Sequence, residues 1–445
     1  MQKEMKVTVE RVLQYDVVVA GGGPAGIGAA VSAARLGAKT ALIERFGVLG
    51  GMMTSGHVQP ILGRTAPYTM YHEVCGILNQ GHEEAERIIT RNGSEIHVDP
   101  EEAKGRLLKL AVDSGADVYL QTAVVDVEKE DGRVRRLLVT SPTGPCIMEG
   151  NMFVDATGDG YVAYRGGAHF ETGREGDGLR QPETIEFTVG GVDETKAIAC
   201  YGGSDPVTLP DGKKYSQLCR EACEKGVLPE NVSIVRLHRT FYPGERQVNA
   251  TQANGCETLD AKGILDAELE LRRQMDSVVR FLKDFVPGYE NCYVKASASA
   301  LGVRETRRFT GEYVLSDQDV ETGARFPDVV VHKAWFLIDI HNPEGGGQAE
   351  GHSKPAVPYD IPLRSLIPRN LDGVFLAGRN ISGSHRAHGS YRVMGIALAT
   401  GQAAGIAAAV CAMDGIGTGG LDYRKVQKAL MDSGAELFDE GEWIG

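Results

Sequence analysis

Five side chains able to bind or move protons, His385, Arg386, His388, Tyr391 and Arg392, crowd eight positions of a predicted loop just before an apolar stretch. A guanidinium in such a loop can hold a carboxylate or oxyanion, and an imidazole can pass a proton near neutral pH. The plainer reading is that these residues tie segments together through ion pairs. Two more groups of the same chemistry stand apart, Arg304 in G-V-R-E-T-R-R and His341 in W-F-L-I-D-I-H-N-P. Arg304 is suited to polarising a substrate or delivering a proton, and His341 to acting as acid or base. Glu305 is expected to pair with Arg307 or Arg308. His57 is a further candidate, although a lone histidine is as often structural.

A second set of residues has spacing rather than acidity as its signal. Gly21-x-Gly23-x-x-Gly26, with Pro24 and Ala25 between, follows a β-branched run and opens a small-residue helical stretch. Glycines there allow a tight turn, close approach of backbone N–H groups to a pyrophosphate and close packing of helix on strand. Glu44 follows eighteen residues after Gly26, at the end of a second strand, where a carboxylate accepts ribose hydroxyls. Arg45, Gly50, Gly51 and Met52 continue as E-R-F-G-V-L-G-G-M, whose paired glycines let backbone pass close to a bulky planar ring system and so point to a flavin. Ala156-Thr157-Gly158-Asp159 and Gly378-Arg379-Asn380 supply two further turns at strand ends.

These turns need a scaffold. Tyr15 to Ala20, Ile27 to Leu36 and Lys39 to Glu44 read as strand, helix, strand, a βαβ unit. A polar, poorly patterned stretch follows to Ser94; Asp99-Pro100-Glu101-Glu102 then starts a helix to about Asp113, with a cap, a first-turn proline and acids at the positive end. Asp117 to Glu128 and Val134 to Thr140 flank an Asp131-Gly132 turn and read as a hairpin. The strand Asn151 to Asp155 delivers the Ala156 turn, and Asp372 to Ala377 delivers the Gly378 turn. Between them the βαβ spacing is lost, and one amphipathic helix from about Asp260 to Phe285 stands out, ended by Pro287. The expected fold is therefore α/β, a split Rossmann-like dinucleotide-binding domain of three-layer ββα type (1–165 and 360–445) with an inserted α+β substrate domain (166–359). At 445 residues, two domains is also the prior from length.

Composition narrows the function. A formal net charge of −13 gives no electrostatic footprint for phosphate backbones, so nucleic acid is not an expected partner. The first fourteen residues lack the apolar core of a signal peptide, and the one long apolar segment, near Ala397 to Ala412, is rich in small residues. A cytoplasmic protein with no membrane partner is expected. Eight scattered cysteines contain no C-x-x-C pair or close set of four, so no metal site is expected; Cys219 and Cys223 share a helix face as incidental thiols. A second G-x-G-x-x-G after a strand is missing, as is a redox C-x-x-x-x-C, so electrons must arrive through the substrate pocket or from a partner protein.

Taken together, G-G-G-P-A-G, L-I-E-R, L-G-G-M-M-T-S-G, D-A-T-G-D-G, L-G-V-R-E-T-R-R, D-I-P-L-R-S-L, A-G-R-N-I-S and H-G-S-Y-R-V-M-G with A-T-G-Q-A-A-G span nearly the whole chain. With them the sequence resembles the FAD-dependent oxidoreductases of glutathione-reductase-type fold, in the branch related to fumarate reductase and succinate dehydrogenase flavoproteins. The resemblance implies that Glu44 binds the adenosine ribose, Ala123 and Val124 carry the adenine-side backbone contact, and Asn380 lies near the ribityl chain. A helix starting around Val393 to Ile396, with Gly395 in its first turn, would aim its positive end at the flavin pyrimidine edge. The family's H-G-A-N-R-L-G-G motif carries a substrate-binding arginine onto Arg392 and its histidine onto His388. Arg304 and His341 resemble segments that face the flavin, and His57 is expected to approach the isoalloxazine. Met52 stands about where succinate-dehydrogenase relatives carry the histidine that bonds FAD, so the FAD is expected to be non-covalent.

The implied reaction is hydride exchange between flavin N5 and a small organic substrate, reducing an activated C=C bond or running the reverse dehydrogenation. Two rivals stand beside it. One is oxidation of a CH–OH group of a sugar or polyol by a histidine base, and the other a flavin-bearing electron-transfer subunit. A redox partner protein and self-association are expected as partners besides the small-molecule substrate.

Overall fold

The computed structural model describes residues 6–84, 96–202, 205–349 and 354–439. Strand β1 (Val12–Ala20) runs through the glycine turn into helix α1 (Pro24–Arg35), which returns to β2 (Thr40–Ile43). Pro24 sits in the first turn of α1, where its missing N–H costs nothing. The stretch read as patternless contains a helix, α2 (Met70–Asn79), whose buried residues Met70, Tyr71, Val74, Cys75 and Leu78 form one face; residues 85–94 of that stretch lie outside the described residues. Helix α3 (Pro100–Asp113) starts as its sequence predicts, with Asp99 accepting the N–H groups of Glu101 and Glu102 at 2.7 and 2.9 Å.

The expected strand from Asp117 to Glu128 is two strands, β3 (Asp117–Tyr119) and β4 (Ala123–Glu130), because Gln121 takes a left-handed φ of 51° and turns the chain between them. Strand β4 pairs with β5 (Arg133–Ser141) across Asp131 and Gly132, both at positive φ as a two-residue hairpin turn requires. Strand β6 (Gly144–Asp155) is longer than its sequence signal. Next come β7 (Phe187–Gly190), α4 (Tyr215–Glu224), β8 (Arg236–Arg239), β9 (Arg246–Asn249), α5 (Ala261–Phe285) and β10 (Tyr293–Ser297). The chain then returns through β11 (Val374–Leu376), α6 (His385–Tyr391), α7 (Met394–Asp414) and α8 (Tyr423–Asp432). The segment His385 to Tyr391, expected as a loop, is the helix α6; Ser384 caps it by accepting the Ala387 N–H.

Seven strands form the main sheet in the order β3-β2-β1-β6-β5-β4, with β11 also on β6. The pairs β3/β2, β2/β1, β1/β6 and β6/β11 are parallel, while β6/β5 and β5/β4 are antiparallel. Register places Ala20 opposite both Ile43 and Asp155, and Leu376 opposite Asp155. All three glycine-bearing turns therefore leave one edge, at the carboxyl ends of the parallel strands, where open α/β sheets bind ligands. A four-stranded antiparallel sheet, β8-β9-β7-β10, has its own buried cluster, running in sequence from Phe187 to Cys292. Residues on both sides of that insertion, Tyr15 to Ala168 and Phe309 to Leu437, share the main cluster.

Helix α7 is long and apolar enough to cross a membrane by length and composition, yet 89% of that apolar window is buried inside the protein. It packs along α1 through glycines. A Cβ at Gly28 would overlap the carbonyl oxygen of Leu398, at Gly401 that of Ala25, and at Gly405 that of Ala29. Backbone meets backbone here, so even one methyl must push the helices apart. Replacing Gly401 with Ala should therefore lower stability by about 1–3 kcal/mol, the usual cost of overpacking. Gly105→Ala, in α3 where a Cβ meets open space, should instead raise it by about 0.5–1 kcal/mol. Denaturant unfolding of the two variants checks this, and equal effects would refute the packing argument.

Candidate active site

A cavity of about 340 Å³ opens at the carboxyl edge of the parallel strands, within the size range of small-molecule and cofactor sites. The turn after β1 lines it with Gly21, Gly23, Pro24 and Ala25; a Cβ on Gly21 would lie 2.7 Å from the Ala156 carbonyl carbon. Gly51 completes that floor, where a Cβ would come within 2.9 Å of the Gly23 Cα. Helix α1 has no side-chain cap and no acid in its first turn, so its leading N–H groups and positive dipole end are available at this floor. That is the donor set a pyrophosphate needs, and the residues fit a dinucleotide.

At one end of the cavity lie Glu44, Arg45, Ala123 and Val124, with Ile43, Phe46 and Thr122. Burial pushes the Glu44 carboxyl up, although its oxygens accept the N–H groups of Gly22 at 2.6 Å and Phe46 at 2.8 Å. Each oxygen keeps a second lone pair for a hydroxyl. Met52, Ala156, Thr157, Gly158, Gly378 and Arg379 line the remaining walls. Asp155, fully buried at the end of β6, fixes the Ala156 turn by accepting the Thr157 hydroxyl at 2.7 Å and the Ala163 N–H at 2.8 Å. Arg379 is held by an ion pair to Asp159, which also accepts the Thr306 hydroxyl at 3.0 Å.

Five expected cofactor residues stand behind this wall. Gly26 packs on the Gly21 carbonyl, and a Cβ on Gly50 would meet the Thr54 side chain at 2.6 Å. Asn380 is fully buried, donates to the Asp155 carbonyl at 3.0 Å and leaves its own Oδ1 without a partner. Gly395 donates its N–H to the Leu62 carbonyl at 3.0 Å, and Ile396 lies against Gly63. From α7 it is Met394 and Ala397 that reach the cavity. Asp159, Tyr161, Leu301, Val303 and Ala377 also line the cavity without having been assigned to the cofactor, although all but Tyr161 stand inside motifs already singled out.

The titratable candidates separate. Arg392, at the C-terminal end of α6, lines the cavity; it donates to the Asp339 carboxylate at 2.9 Å and carbonyl at 3.1 Å, and its Nε is buried with no partner. Burial pulls its pKa down. Burial would raise the Asp339 carboxyl, but His341, Arg392 and Arg304 hold it well below the usual carboxylate range. His341 lies 3.4 Å from Asp339 and is lowered to about 4 by burial and Arg304. Arg304 gives one hydrogen bond, to the Pro182 carbonyl, and is lowered to about 10 by burial and Arg392. Arg304 and His341 face a second, smaller cavity.

The remaining candidates point elsewhere. His57, at a left-handed φ of 55°, bonds Thr188 at 2.8 Å and lines a separate cavity with Asp99, Glu101 and Lys295. His388 is enclosed against Tyr391 with Nδ1 unpartnered. Within the crowded segment, His385 bonds buried Glu305 at 2.8 Å, Arg386 pairs with Asp317 and Glu321, and Tyr391 donates to the Ile381 carbonyl. Of the two arginines expected beside Glu305, Arg308 makes the ion pair.

Residues 16–430 match the family model of FAD-dependent oxidoreductases, and the chain belongs to that family. That family makes it a flavin-dependent enzyme with FAD as its cofactor. Among curated relatives it is similar to the dihydrolipoyl dehydrogenase of Trypanosoma brucei brucei, 48% identical over 59 residues, which are 13% of this chain and 12% of that enzyme. It is also similar to the digeranylgeranylglycerophospholipid reductase of Thermoplasma volcanium, 30% identical over 160 residues, which are 32% of this chain and 39% of that one. Among solved structures, a geranylgeranyl bacteriochlorophyll reductase-like protein from Thermoplasma acidophilum superposes over 94% of this chain and 83% of its own, at a TM-score of 0.47 and 15% identity.

Buried titratable groups make stability depend on pH in two directions. His97 and His341 are lowered to about 4 and His238 to about 3, each chiefly by burial, from an ordinary 6.5. Their contribution is complete above pH 6.5 and is lost as pH falls toward those values; His388, lowered by burial and Arg392, adds to the same limb. Burial pushes Glu183 up to about 7 and Glu186 up to about 8, from 4.5. Theirs is complete below pH 4.5 and is lost as pH rises through 7 to 8. Each unmatched proton contributes a slope of about 1.4 kcal/mol per pH unit. Unfolding free energy, measured at saturating FAD, should therefore peak near pH 6.5, and Glu186→Gln should flatten the alkaline limb. A flat profile from pH 6.5 to 8, or an unchanged limb in the variant, would contradict these assignments.

Proposed function

We propose that this enzyme exchanges a hydride between its flavin and a small organic substrate, reducing an activated C=C bond or running the reverse dehydrogenation. The observation that carries the reading is Arg392: a partly buried guanidinium on the wall of the cofactor cavity, clamped on one side by Asp339 and with its buried Nε left unpartnered. Such a group orients a substrate oxyanion or carboxylate beside the cofactor. When bound, FAD supplies the hydride donor or acceptor at N5. Arg304 stays charged near neutral pH but holds its proton less tightly than an ordinary arginine, which suits it to protonating a substrate carbon. His341, lowered to about 4, is neutral there and is suited to accepting a proton in the reverse direction.

We assign the floor of Gly21, Gly23, Gly51 and the start of α1 to the pyrophosphate, Glu44 to the adenosine ribose, and Ala123 and Val124 to the adenine side. Met52 presents a thioether to the cavity, which forms no flavin linkage under ordinary conditions. For oxidation of a CH–OH group by a histidine base, His57 lines another cavity and His388 is enclosed, which leaves His341 as the base that reading would use.

Acid precipitation of the purified enzyme should leave all of the flavin in the supernatant. Anaerobically, dithionite should bleach the flavin bands and unsaturated acids or enones should restore them. Arg392→Met should keep the flavin and lose about 100-fold or more in kcat/KM for that reoxidation, the scale of removing one preorganised donor. Bleaching of the oxidised enzyme by alcohols or sugars, with no reoxidation by unsaturated compounds, would overturn the proposal in favour of alcohol oxidation.

A further inference from the structure

Helix α1 begins at the cofactor floor and ends at a different opening. An open crevice of about 740 Å³, within the size range of small-molecule sites, lies among the end of α1, the start of α2, the middle of α7 and the end of α8. It shares no lining residue with the cofactor cavity. Leu36, Met70, Ile406 and Ala429 give it apolar walls. Gln402 joins two of its sides: Oε1 accepts the Met70 N–H at 2.9 Å, and Nε2 donates to the Ser433 hydroxyl at 3.3 Å.

Three lining side chains are incomplete without a ligand. Ser32 is 7% exposed, and its hydroxyl makes no hydrogen bond to any described residue, a costly state for a buried polar group. His72 is fixed in one tautomer by a chain of hydroxyls. The Thr65 hydroxyl donates to the Ala66 carbonyl at 3.2 Å, so it accepts from Thr69 at 3.0 Å, and Thr69 in turn accepts from His72 Nδ1 at 3.3 Å. The ring proton is thereby on Nδ1, and Nε2 is an acceptor with no partner among the described residues. Burial lowers the His72 pKa, although Glu436 opposes it, so the ring is neutral. Tyr68, at the rim, has a left-handed φ of 60° and a ring 69% exposed. A strained backbone that holds a bulky aromatic out in solvent gains nothing within the chain, whereas a flat ligand laid on that ring supplies the missing contact. Charge selects further. Arg35 is engaged by Glu73 through two bonds of 2.7 Å, and Asp432 and Glu436 stand nearby, so an anion would meet carboxylates and no free guanidinium.

We propose that this crevice is a second small-molecule site, separate from the flavin, for an uncharged aromatic compound that stacks on Tyr68 and donates an O–H or N–H to His72 Nε2. The site is independent of the hydride reading. Equilibrium dialysis of 2-naphthol against the oxidised, FAD-bound enzyme at neutral pH, where the probe is uncharged, should show binding with the flavin spectrum unchanged. 2-Methoxynaphthalene, which lacks the O–H, should bind about fivefold more weakly, the scale of one hydrogen bond. The anion 2-naphthoate should bind more weakly still. Tyr68→Gly removes the ring and suits the left-handed φ, so it should keep the thermal midpoint and the FAD content while weakening 2-naphthol about tenfold. His72→Phe should erase the preference for 2-naphthol over its methyl ether. No binding of 2-naphthol, unaltered binding by Tyr68→Gly, equal binding of either comparison compound by the wild-type enzyme, or a flavin spectrum that changes with the probe would overturn the proposal.

Discussion

Two helices far apart in sequence approach so closely that their backbones touch, and the site exists because they do. Gly28 on α1 and Gly401 and Gly405 on α7 each leave space that a carbonyl oxygen of the other helix fills. Helix α1 carries the turn that forms the cavity floor, and the first residues of α7, Met394 and Ala397, form part of its wall. A wider gap would pull the wall from the floor and open the cavity to solvent. This explains why a helix of membrane-like composition is buried here. Its small residues serve proximity, and the apolar area they bury holds the returning end of the chain against the βαβ unit.

The main sheet imposes the second constraint. Its parallel strands end together, so turns from three separated parts of the sequence arrive at one edge. Carboxylates then fix those turns. Asp155 organises its own strand end, Glu44 ties the first glycine turn to the second strand, and Asp159 links the middle turn to Arg379. These bonds hold a polar loop region in one shape, which a cofactor site needs before any ligand arrives.

The legible parts of the sequence were those where local chemistry admits few alternatives. A glycine turn between strand and helix, the Asp99 cap and the Asp131-Gly132 hairpin each follow from backbone sterics or an unpaired N–H, and the structure has each where its residues indicated. Helix α6 was hidden because seven residues with a central Gly389 have weak helical habit; burial of Ala387 to Tyr391 and the Ser384 cap hold it. The split between β3 and β4 turns on one left-handed residue, Gln121, whose type does not announce it. The two faces of β8 were illegible for another reason. A four-residue strand shows alternation, but only its neighbours' register tells which set faces the apolar cluster, and that register is tertiary information.

The site divides its work between two kinds of positive potential. The cofactor floor offers backbone N–H groups and a helix end, whose partial charges are spread over several donors and need no counter-ion. Arg379 at that wall is already neutralised by Asp159. Full charges stand instead at Arg392, whose Nε has no partner, and at Arg304, which gives one hydrogen bond. Partial charges suit a permanent occupant, because they bind without a large change in desolvation energy when the ligand is absent. Underpaired guanidiniums suit a ligand that comes and goes, since they raise the energy of the unliganded site and favour whichever anion completes the set.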